Sequence, residues 1–200
     1  MCILLTYKCP NQIYDLIVIA NRDEYHNRQA APLDFWTDKP KILGGRDLEA
    51  GGSWLAVSKE RRLAAITNIS MGGDVTPPPE SRGIIVKNFL DTNLEADAYA
   101  KALRNSHNCY NGFNLITYDG STLYWDSNRS ETGMPISEKS YAISNALPSV
   151  KWLKTERLKE DFQAALVGPQ SGLIKRLLSI LGPESIERTE NKTHDYQDIE

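Results

Sequence analysis

Two short apolar segments near the start of the chain constrain its fold more than any other part of the sequence. Residues 2–7 and 13–20 are rich in Ile, Leu and Val and are separated by a short segment that contains Pro and Asn. This pattern predicts a β-hairpin. The run Leu16-Ile17-Val18-Ile19-Ala20 contains no polar residue, so we expect the second strand to be covered on both faces. Such a strand requires helical layers around the sheet.

The rest of the chain alternates between strand and helix patterns, which predicts an α+β fold. We expect a four-layer αββα sandwich, with two antiparallel sheets between helical layers, as a single domain over residues 1–182. The polar tail 183–200 is expected to be frayed. The predicted strands are 53–58, 62–68, 111–118, 122–125 and 141–145, with a hairpin turn at Asp119-Gly120, and the predicted helices are 82–90, 95–103, 150–166 and 171–181.

Three further segments have the composition of loops. Residues 32–40 predict a loop anchored by Phe35 and Trp36, and the glycine pairs at 44–45 and 51–52 predict tight turns that border a pocket. No Gly-Lys-Ser/Thr follows these glycines, so they do not predict a phosphate loop. Residues 69–81, which contain three consecutive prolines, predict a flexible connection or a lid.

Composition excludes several classes of function. The chain has 200 residues, 40% of them hydrophobic, and a net charge of −3, which argues against a nucleic-acid partner. Its apolar runs are shorter than the roughly 20 residues that span a bilayer. The three cysteines form no CxxC pair and the three histidines have no metal-ligand spacing. We therefore expect a cytoplasmic protein with no membrane span and no metal site.

Cys2 is the first candidate for chemistry. Removal of Met1 would give Cys2 a free α-amine, which ionises near pH 7.7 to 8.0 and takes up the thiol proton without a histidine. The residue would then be an N-terminal nucleophile and its own general base. The alternative is that Cys2 is an apolar side chain at the head of a buried strand.

A polar cluster, Asn21-Arg22-Asp23-Glu24, directly follows the second strand. The hairpin would return it beside Cys2, where Arg22 holds a substrate carboxylate or steadies the thiolate and Asp23 orients the α-amine. A solvated loop with a surface ion pair is the alternative, and residue types alone leave both open. The ligand-binding residues predicted around this site are Asn21, Glu24, Trp54, Asn68, Asn111 and Asn114.

Five sequence blocks resemble the NRDE family, also called the transport and Golgi organisation protein 2 family. They are Met1-Cys2-Ile3, Ala20-Asn21-Arg22-Asp23-Glu24, Gly51-Gly52-Ser53-Trp54-Leu55, Tyr110-Asn111-Gly112-Phe113-Asn114-Leu115 and Ser144-Asn145-Ala146-Leu147. The resemblance implies a fold similar to N-terminal-nucleophile hydrolases, whose thiol members cleave amides in penicillins, bile-salt conjugates and acyl-amides. For family members it also implies roles in haem trafficking, secretory organisation and lipid or coenzyme A metabolism.

The resemblance also assigns residues. Cys2 matches the nucleophile, Arg22 and Asp23 match the polar pair beside it, and Asn145 lies where such hydrolases often have an oxyanion donor. Asn111 and Asn114 are weaker candidates for that role. Members usually continue with a Gly-Thr-Arg segment and closing strands, so residues 183–200 are expected to lead into such a segment or the second sheet is expected to be short.

Three functions are consistent with these residues. The first is a cysteine amidohydrolase that acts on a small amide and requires no cofactor. The second is a carrier of haem or another hydrophobic anion, with Cys9 beside Pro10 as the haem ligand and His26, His107, Tyr110 and Cys109 as further candidates. The third is an interaction protein in which the polar cluster only stabilises the fold.

Overall fold

The computed structural model describes residues 2–9, 13–24, 27–69 and 80–182. These ranges contain ten strands, four α-helices and two antiparallel sheets, so the α+β fold class is confirmed. The strands are β1 (Ile3–Lys8), β2 (Leu16–Asn21), β3 (Ala30–Trp36), β4 (Lys39–Asp47), β5 (Leu55–Ser58), β6 (Leu63–Asn68), β7 (Phe113–Tyr118), β8 (Leu123–Ser127), β9 (Met134–Pro135) and β10 (Ser140–Ile143). The α-helices are α1 (Gly83–Asp91), α2 (Ala96–Leu103), α3 (Leu153–Leu166) and α4 (Leu173–Ile180), and 3-10 helices span Arg104–Cys109 and Gln170–Gly172.

The described residues form two compact units. The first unit contains those within 1–22, 138–144 and 148–200, and the second contains those within 23–137 and 145–147. Each unit has one of the two sheets and two of the four helices found in the described ranges. The single domain over residues 1–182 stays a prediction.

The first unit is organised around β1. Its three-stranded sheet has the order β10-β1-β2, and the pairing of β1 with β2 runs from Ile3 opposite Asn21 to Lys8 opposite Leu16, which confirms the predicted hairpin. The prediction that β2 is covered on both faces is wrong, because β2 is an edge strand and most of its residues are only partly buried. The central strand β1 is instead covered on both faces. Leu4 and Leu5 are adjacent and therefore project to opposite faces, and both are 0% exposed.

Helices α3 and α4 pack on one face of this sheet. The Tyr7 ring lies 5.2 Å from the Phe162 ring, and both belong to an apolar cluster that joins β1 and β2 to the two helices. Arg176 of α4 donates from Nε to the carbonyl of Ala165 at 2.7 Å. The end of β2 is held by Asn21, whose Nδ2 donates to the carbonyl of Leu181 at 3.1 Å.

The second unit contains a seven-stranded sheet in which β3 to β9 pair in chain order. The predicted hairpins β5–β6 and β7–β8 are confirmed, and so is the Asp119-Gly120 turn, where Gly120 has φ of +100°. Helices α1 and α2 cover the sheet, and the hydroxyl of Tyr99 in α2 donates to the carbonyl of Ile85 in α1 at 2.8 Å.

Two loop predictions in this unit are wrong. Residues 32–40, with Phe35 and Trp36, do not form a loop but contribute most of β3 and the start of β4. Gly44 and Gly45 lie inside β4 rather than in a turn. A Cβ on Gly44 would lie 2.6 Å from the Cβ of Ala56 on β5, so this glycine permits close approach of neighbouring strands. The predicted turn at the second pair is confirmed by Gly51, whose φ is +70°.

Several predictions fall outside the described residues. The proposed lid covers residues 69–81, of which 70–79 lie outside, and the tail 183–200, Met1, Pro10 and His26 lie outside entirely. Within the described part of the chain, no helix is long and apolar enough to cross a membrane.

Replacing Gly44 by Ala should destabilise the protein, whereas the same change at Gly45 should not. The added methyl at Gly44 meets Ala56 and the carbonyl of Leu55, and such overpacking costs about 1–3 kcal/mol. At Gly45 the nearest atom is 3.4 Å away, so the free energy of unfolding should change by less than about 0.5 kcal/mol. Urea unfolding of both variants measures the difference, and equal midpoints would contradict the packing explanation.

The Asp119 carboxylate ties the β7–β8 turn to α2. It accepts hydrogen bonds from the backbone N–H groups of Ala96 at 2.9 Å, Ser121 at 3.0 Å and Thr122 at 2.8 Å. Burial by itself would raise the pKa of Asp119, but these hydrogen bonds outweigh it and lower the pKa to about 2.

An Asp119→Ala variant should lose about 1 to 2 kcal/mol of stability at neutral pH. The folded pKa lies below the unfolded value of about 3.9, so the carboxylate stabilises the fold above that pH and the contribution disappears as pH falls towards 2. The difference between variant and wild type should therefore shrink between about pH 5 and pH 2.5. Thermal unfolding over that range tests this, and a constant difference would show that the charge is not involved.

Candidate functional site

Cys2 lies directly before the central strand of the first unit. Cys2 is 7% exposed, and neither apolar cluster of the described residues includes it. The buried hydroxyl of Ser144, which follows β10, donates to the carbonyl oxygen of Cys2 at 2.6 Å. The backbone at Cys2 is therefore fixed to β10 beyond the end of the ladder.

Arg22 occupies the matching position at the end of β2. The last pair in the β1–β2 ladder is Ile3 opposite Asn21, and continuing the register by one residue sets Cys2 opposite Arg22. Opposing residues of an antiparallel pair project to the same face. The hairpin thus returns Arg22 to the level of Cys2 as the sequence predicted, and the role of its guanidinium stays a prediction.

The other members of the polar cluster have different surroundings. Asn21 is engaged with Leu181, as described above. Asp23 and Glu24 belong to the second unit and have exposed side chains. Their predicted roles are not tested by the geometry of the first unit.

Lys154 is a partly buried lysine that the sequence did not indicate. It is the second residue of α3, and its ammonium lies 4.7 Å from the centroid of the Trp152 ring. Burial lowers the pKa of Lys154 to about 8, and the Cys2 thiolate opposes this as a smaller influence. A lysine in the first turn of a helix looks like an ordinary solvated residue in sequence, which is why it was missed.

Asn68 and Asn145, two of the asparagines predicted at the site, are joined by a hydrogen bond in the second unit. Nδ2 of Asn145 donates to the backbone carbonyl of Asn68 at 2.9 Å, so the carboxamide of Asn145 is held in one orientation. Asn68 contributes its main chain to this contact, while its side chain is exposed.

The side chain of Asn114 forms hydrogen bonds with three other residues of the second unit. It is 1% exposed, and its Nδ2 donates to Thr67 Oγ1 at 3.2 Å and to the carbonyl of Ala146 at 3.0 Å. Its Oδ1 accepts a hydrogen bond from Nε1 of Trp125 at 3.2 Å. The side chain therefore anchors the segment that contains Asn145, a contact that supports the site without requiring a ligand.

The two remaining candidates for ligand binding support the fold of the second unit. The carbonyl of Asn111 accepts a hydrogen bond from Nδ2 of Asn128 at 3.3 Å. Trp54 is partly buried against the apolar cluster between the sheet and α1. Neither contact tests a role in binding.

Several candidate haem ligands have protein partners. Cys9 is 3% exposed, its thiol donates to the carbonyl of Tyr7 at 3.6 Å, and burial raises its pKa. Nε2 of His107 lies 3.3 Å from Oδ2 of the buried Asp126, although the two atoms are not aligned for a hydrogen bond. The hydroxyl of Tyr110 donates to Glu80 at 2.9 Å.

Asp126 is a buried carboxylate that the sequence did not indicate. Its side chain is 1% exposed and forms an ion pair with Arg104. No group of three or more His, Cys, Asp or Glu side chains in the described ranges is arranged to hold a metal ion.

A solved structure has the same fold. The N-acylethanolamine-hydrolyzing acid amidase ortholog of Caenorhabditis elegans, an N-terminal-nucleophile hydrolase, matches with a TM-score of 0.51, over 91% of this chain and 86% of that chain. The sequence identity is 9%, so the match establishes the fold alone. The fold predicted from the resemblance is thereby confirmed.

Sequence comparison identifies the family. The Transport and Golgi organization 2 homolog of Mus musculus is 34% identical over 94% of this chain and 74% of its own length. The human homolog matches equally, at 34% over the same shares. The Drosophila melanogaster protein is 26% identical over 76% of this chain and 59% of its own length. The model of the family Transport and Golgi organisation 2 matches residues 1–199, and the chain therefore belongs to this family.

Proposed function

We propose that this protein is a cysteine amidohydrolase that cleaves a small non-peptide amide, with Cys2 as an N-terminal nucleophile. The observation that carries the proposal is the position of Cys2, at the head of the central strand in a fold similar to that of an amidase. Its carbonyl is held by Ser144, and the residue is buried without being part of an apolar cluster of the described residues. A fixed backbone at Cys2 is what a nucleophile requires, because it must meet its substrate in one orientation.

The reaction requires removal of Met1. The free α-amine of Cys2 then accepts the thiol proton, and the sulfur forms a bond to the amide carbonyl carbon. Collapse of the tetrahedral intermediate breaks the C–N bond, and the α-ammonium returns the proton to the leaving amine. Water then attacks the thioester, which releases the carboxylic acid and restores the thiol.

Asn145 is the proposed side-chain donor to the oxyanion. A carboxamide stabilises the developing charge only if it is oriented before the reaction. The hydrogen bond to the carbonyl of Asn68 supplies such an orientation, and Asn114 secures the neighbouring Ala146. In this proposal Arg22 binds an anionic part of the substrate or steadies the thiolate, and Asp23 orients the α-amine.

The substrate class follows from the same proposal. The Caenorhabditis elegans protein is named for the hydrolysis of N-acylethanolamines. Small acyl amides are therefore the first compounds to assay.

Transport of haem is the second hypothesis, and the described residues give it less support. A buried Cys9 thiol with a raised pKa is a poor source of the thiolate that haem iron binds. His107 faces the Asp126 carboxylate, and His26 lies outside the described residues. We therefore retain the amidohydrolase as the proposed function.

Removal of Met1 and replacement of Cys2 test the nucleophile. Intact mass spectrometry of the purified protein should show loss of one methionine, and an electrophilic acyl-amide analogue should add once, at Cys2. Cys2→Ala should abolish this adduct and reduce turnover by about a thousandfold or more. The partly exposed Cys109 is the internal control and should stay unlabelled. Retained Met1 or full turnover by the variant would overturn the proposal.

Replacement of Asn145 tests the oxyanion donor. Asn145→Ala should lower kcat about a hundred- to thousandfold with a smaller change in KM, because the lost interaction forms mainly in the transition state. Asn145→Asp retains the size of the side chain but removes the donor, and should be at least as damaging.

The matched control is Asn93→Ala, which removes a carboxamide from an exposed position after α1. We expect its kcat to equal that of the wild type. A kcat for Asn145→Ala within about threefold of this control would exclude Asn145 as the donor.

A further inference from the structure

The first unit contains a cleft on the face of its sheet that α3 and α4 cover. The volume of the cleft is about 680 Å³, within the roughly 300–1,000 Å³ of typical small-molecule sites. A mostly apolar lining with a few polar groups is also typical of such sites. The apolar side chains here are Tyr7, Ile13, Leu166 and Leu173, and the polar ones are Gln170 and Arg176.

The cleft is separate from the surroundings of Cys2. Successive residues of a strand project to opposite faces, so Tyr7 shares a face with Leu5, whereas Cys2 continues the face of Leu4. Tyr7 also lies near the other end of β1. A strand rises about 3.3 Å per residue, which places the two positions roughly 16 Å apart along the strand. The cleft is therefore not the site of the proposed nucleophile.

Arg176 is the charged residue among the described side chains that line the cleft. Its Nε donates to the carbonyl of Ala165 at 2.7 Å, and its Nη2 donates to the carbonyl of Pro169 at 3.1 Å. A guanidinium has five N–H donors, so three remain without a partner among the described residues, including both on Nη1. The two carbonyls thus fix the orientation of the guanidinium and leave one edge of it for a ligand.

Two glycines between α3 and α4 leave space around this guanidinium. A Cβ on Gly172 would lie 2.7 Å from Nη1 of Arg176, and a Cβ on Gly168 would lie 3.5 Å from the same atom. Gly168 also has φ of +120°, a backbone conformation that L side chains rarely adopt. The lack of a side chain at both positions keeps the unpartnered edge of the guanidinium accessible.

The charge of the lining is positive. None of the described residues that line the cleft is acidic, and Arg176 has no ion pair within the described part of the chain. The ammonium of Lys139 lies 5.2 Å from the centroid of the Tyr7 ring, so a second cation borders the same wall. A negatively charged group therefore complements this cleft. Because a guanidinium is planar and delocalised, a carboxylate is a well-matched partner for it.

We propose that this cleft binds a small aliphatic carboxylate, whose head group pairs with Arg176. The aliphatic chain lies against the apolar wall formed by Ile13, Leu166 and Leu173. Ile13 is 77% exposed, and a bound chain would cover this large apolar side chain, which favours binding. The site goes beyond the proposed amide hydrolysis, because it lies on the face of the sheet opposite to that of Cys2.

Isothermal titration calorimetry with three probes tests the class of ligand. Octanoate has the charge and the chain, octanamide has the chain without the charge, and acetate has the charge without the chain. Octanoate should bind, and octanamide should bind at least about tenfold more weakly because the charge-assisted hydrogen bonds are lost. Acetate should also bind at least about tenfold more weakly, because it buries little apolar surface. No binding of octanoate, or equal affinity for either of the other probes, would overturn the proposal.

Variants locate the octanoate site. Arg176→Gln should weaken binding at least about tenfold, and Ile13→Ser should weaken it about three- to tenfold through lost apolar contact. The matched control is Lys175→Gln, which removes the neighbouring exposed lysine of α4 and should leave the affinity within about twofold of the wild type.

Thermal unfolding shows whether each variant is folded. If Arg176→Gln is not, Gly172→Ala replaces it, since the added methyl displaces Nη1 while the φ of −104° at this position accepts alanine. Unchanged affinity in Ile13→Ser, or in the folded Arg176 or Gly172 variant, overturns the assignment. That result includes the case in which octanoate binds beside Cys2 as a product of the proposed hydrolysis. An equal loss in Lys175→Gln also overturns it, because the effect would then be one of general charge.

Discussion

The antiparallel pairing of β1 with a strand on each side is the constraint on which the candidate nucleophile depends. The hairpin with β2 sets Cys2 at the level of Arg22, and the pairing with β10 brings Ser144 to the Cys2 carbonyl. Leu4 and Leu5 project from opposite faces of β1, and both are fully buried. A residue attached to so well fixed a strand has little conformational freedom left, which suits a nucleophile that must meet its substrate in one orientation.

Local patterns were sufficient for those parts of the fold whose partners are close in sequence. The hairpins β1–β2, β5–β6 and β7–β8 each join neighbouring segments, and apolar periodicity with turn residues predicted all of them. The error at β2 has a different origin. Whether β1 or β2 is central depends on β10, which lies more than a hundred residues further along the chain, so the hairpin alone does not distinguish the two.

The misassigned glycines and the overlooked lysine show the same limit at the level of single residues. Gly44 has the sequence context of a turn, but its function is to admit Ala56 of the next strand. Lys154 has the context of a surface residue, and its partial burial beside the Trp152 ring is not encoded in the local pattern. The predicted role of Asn114 in ligand binding stays a prediction, and its hydrogen bonds join it to Thr67, Ala146 and Trp125. Gly44 and Ala56 belong to neighbouring strands whose pairing the sequence did not predict, whereas Thr67 and Ala146 are remote from Asn114 in sequence.

The bond from Ser144 to Cys2 connects residues that are 142 positions apart, and this separation affects how the protein is made. The N-terminal hairpin leaves the ribosome long before β10 exists, so β1 has an open edge while the second unit is being synthesised. Open edges with apolar side chains pair readily with other chains. Completion of the three-stranded sheet therefore has to wait until β10 has been synthesised.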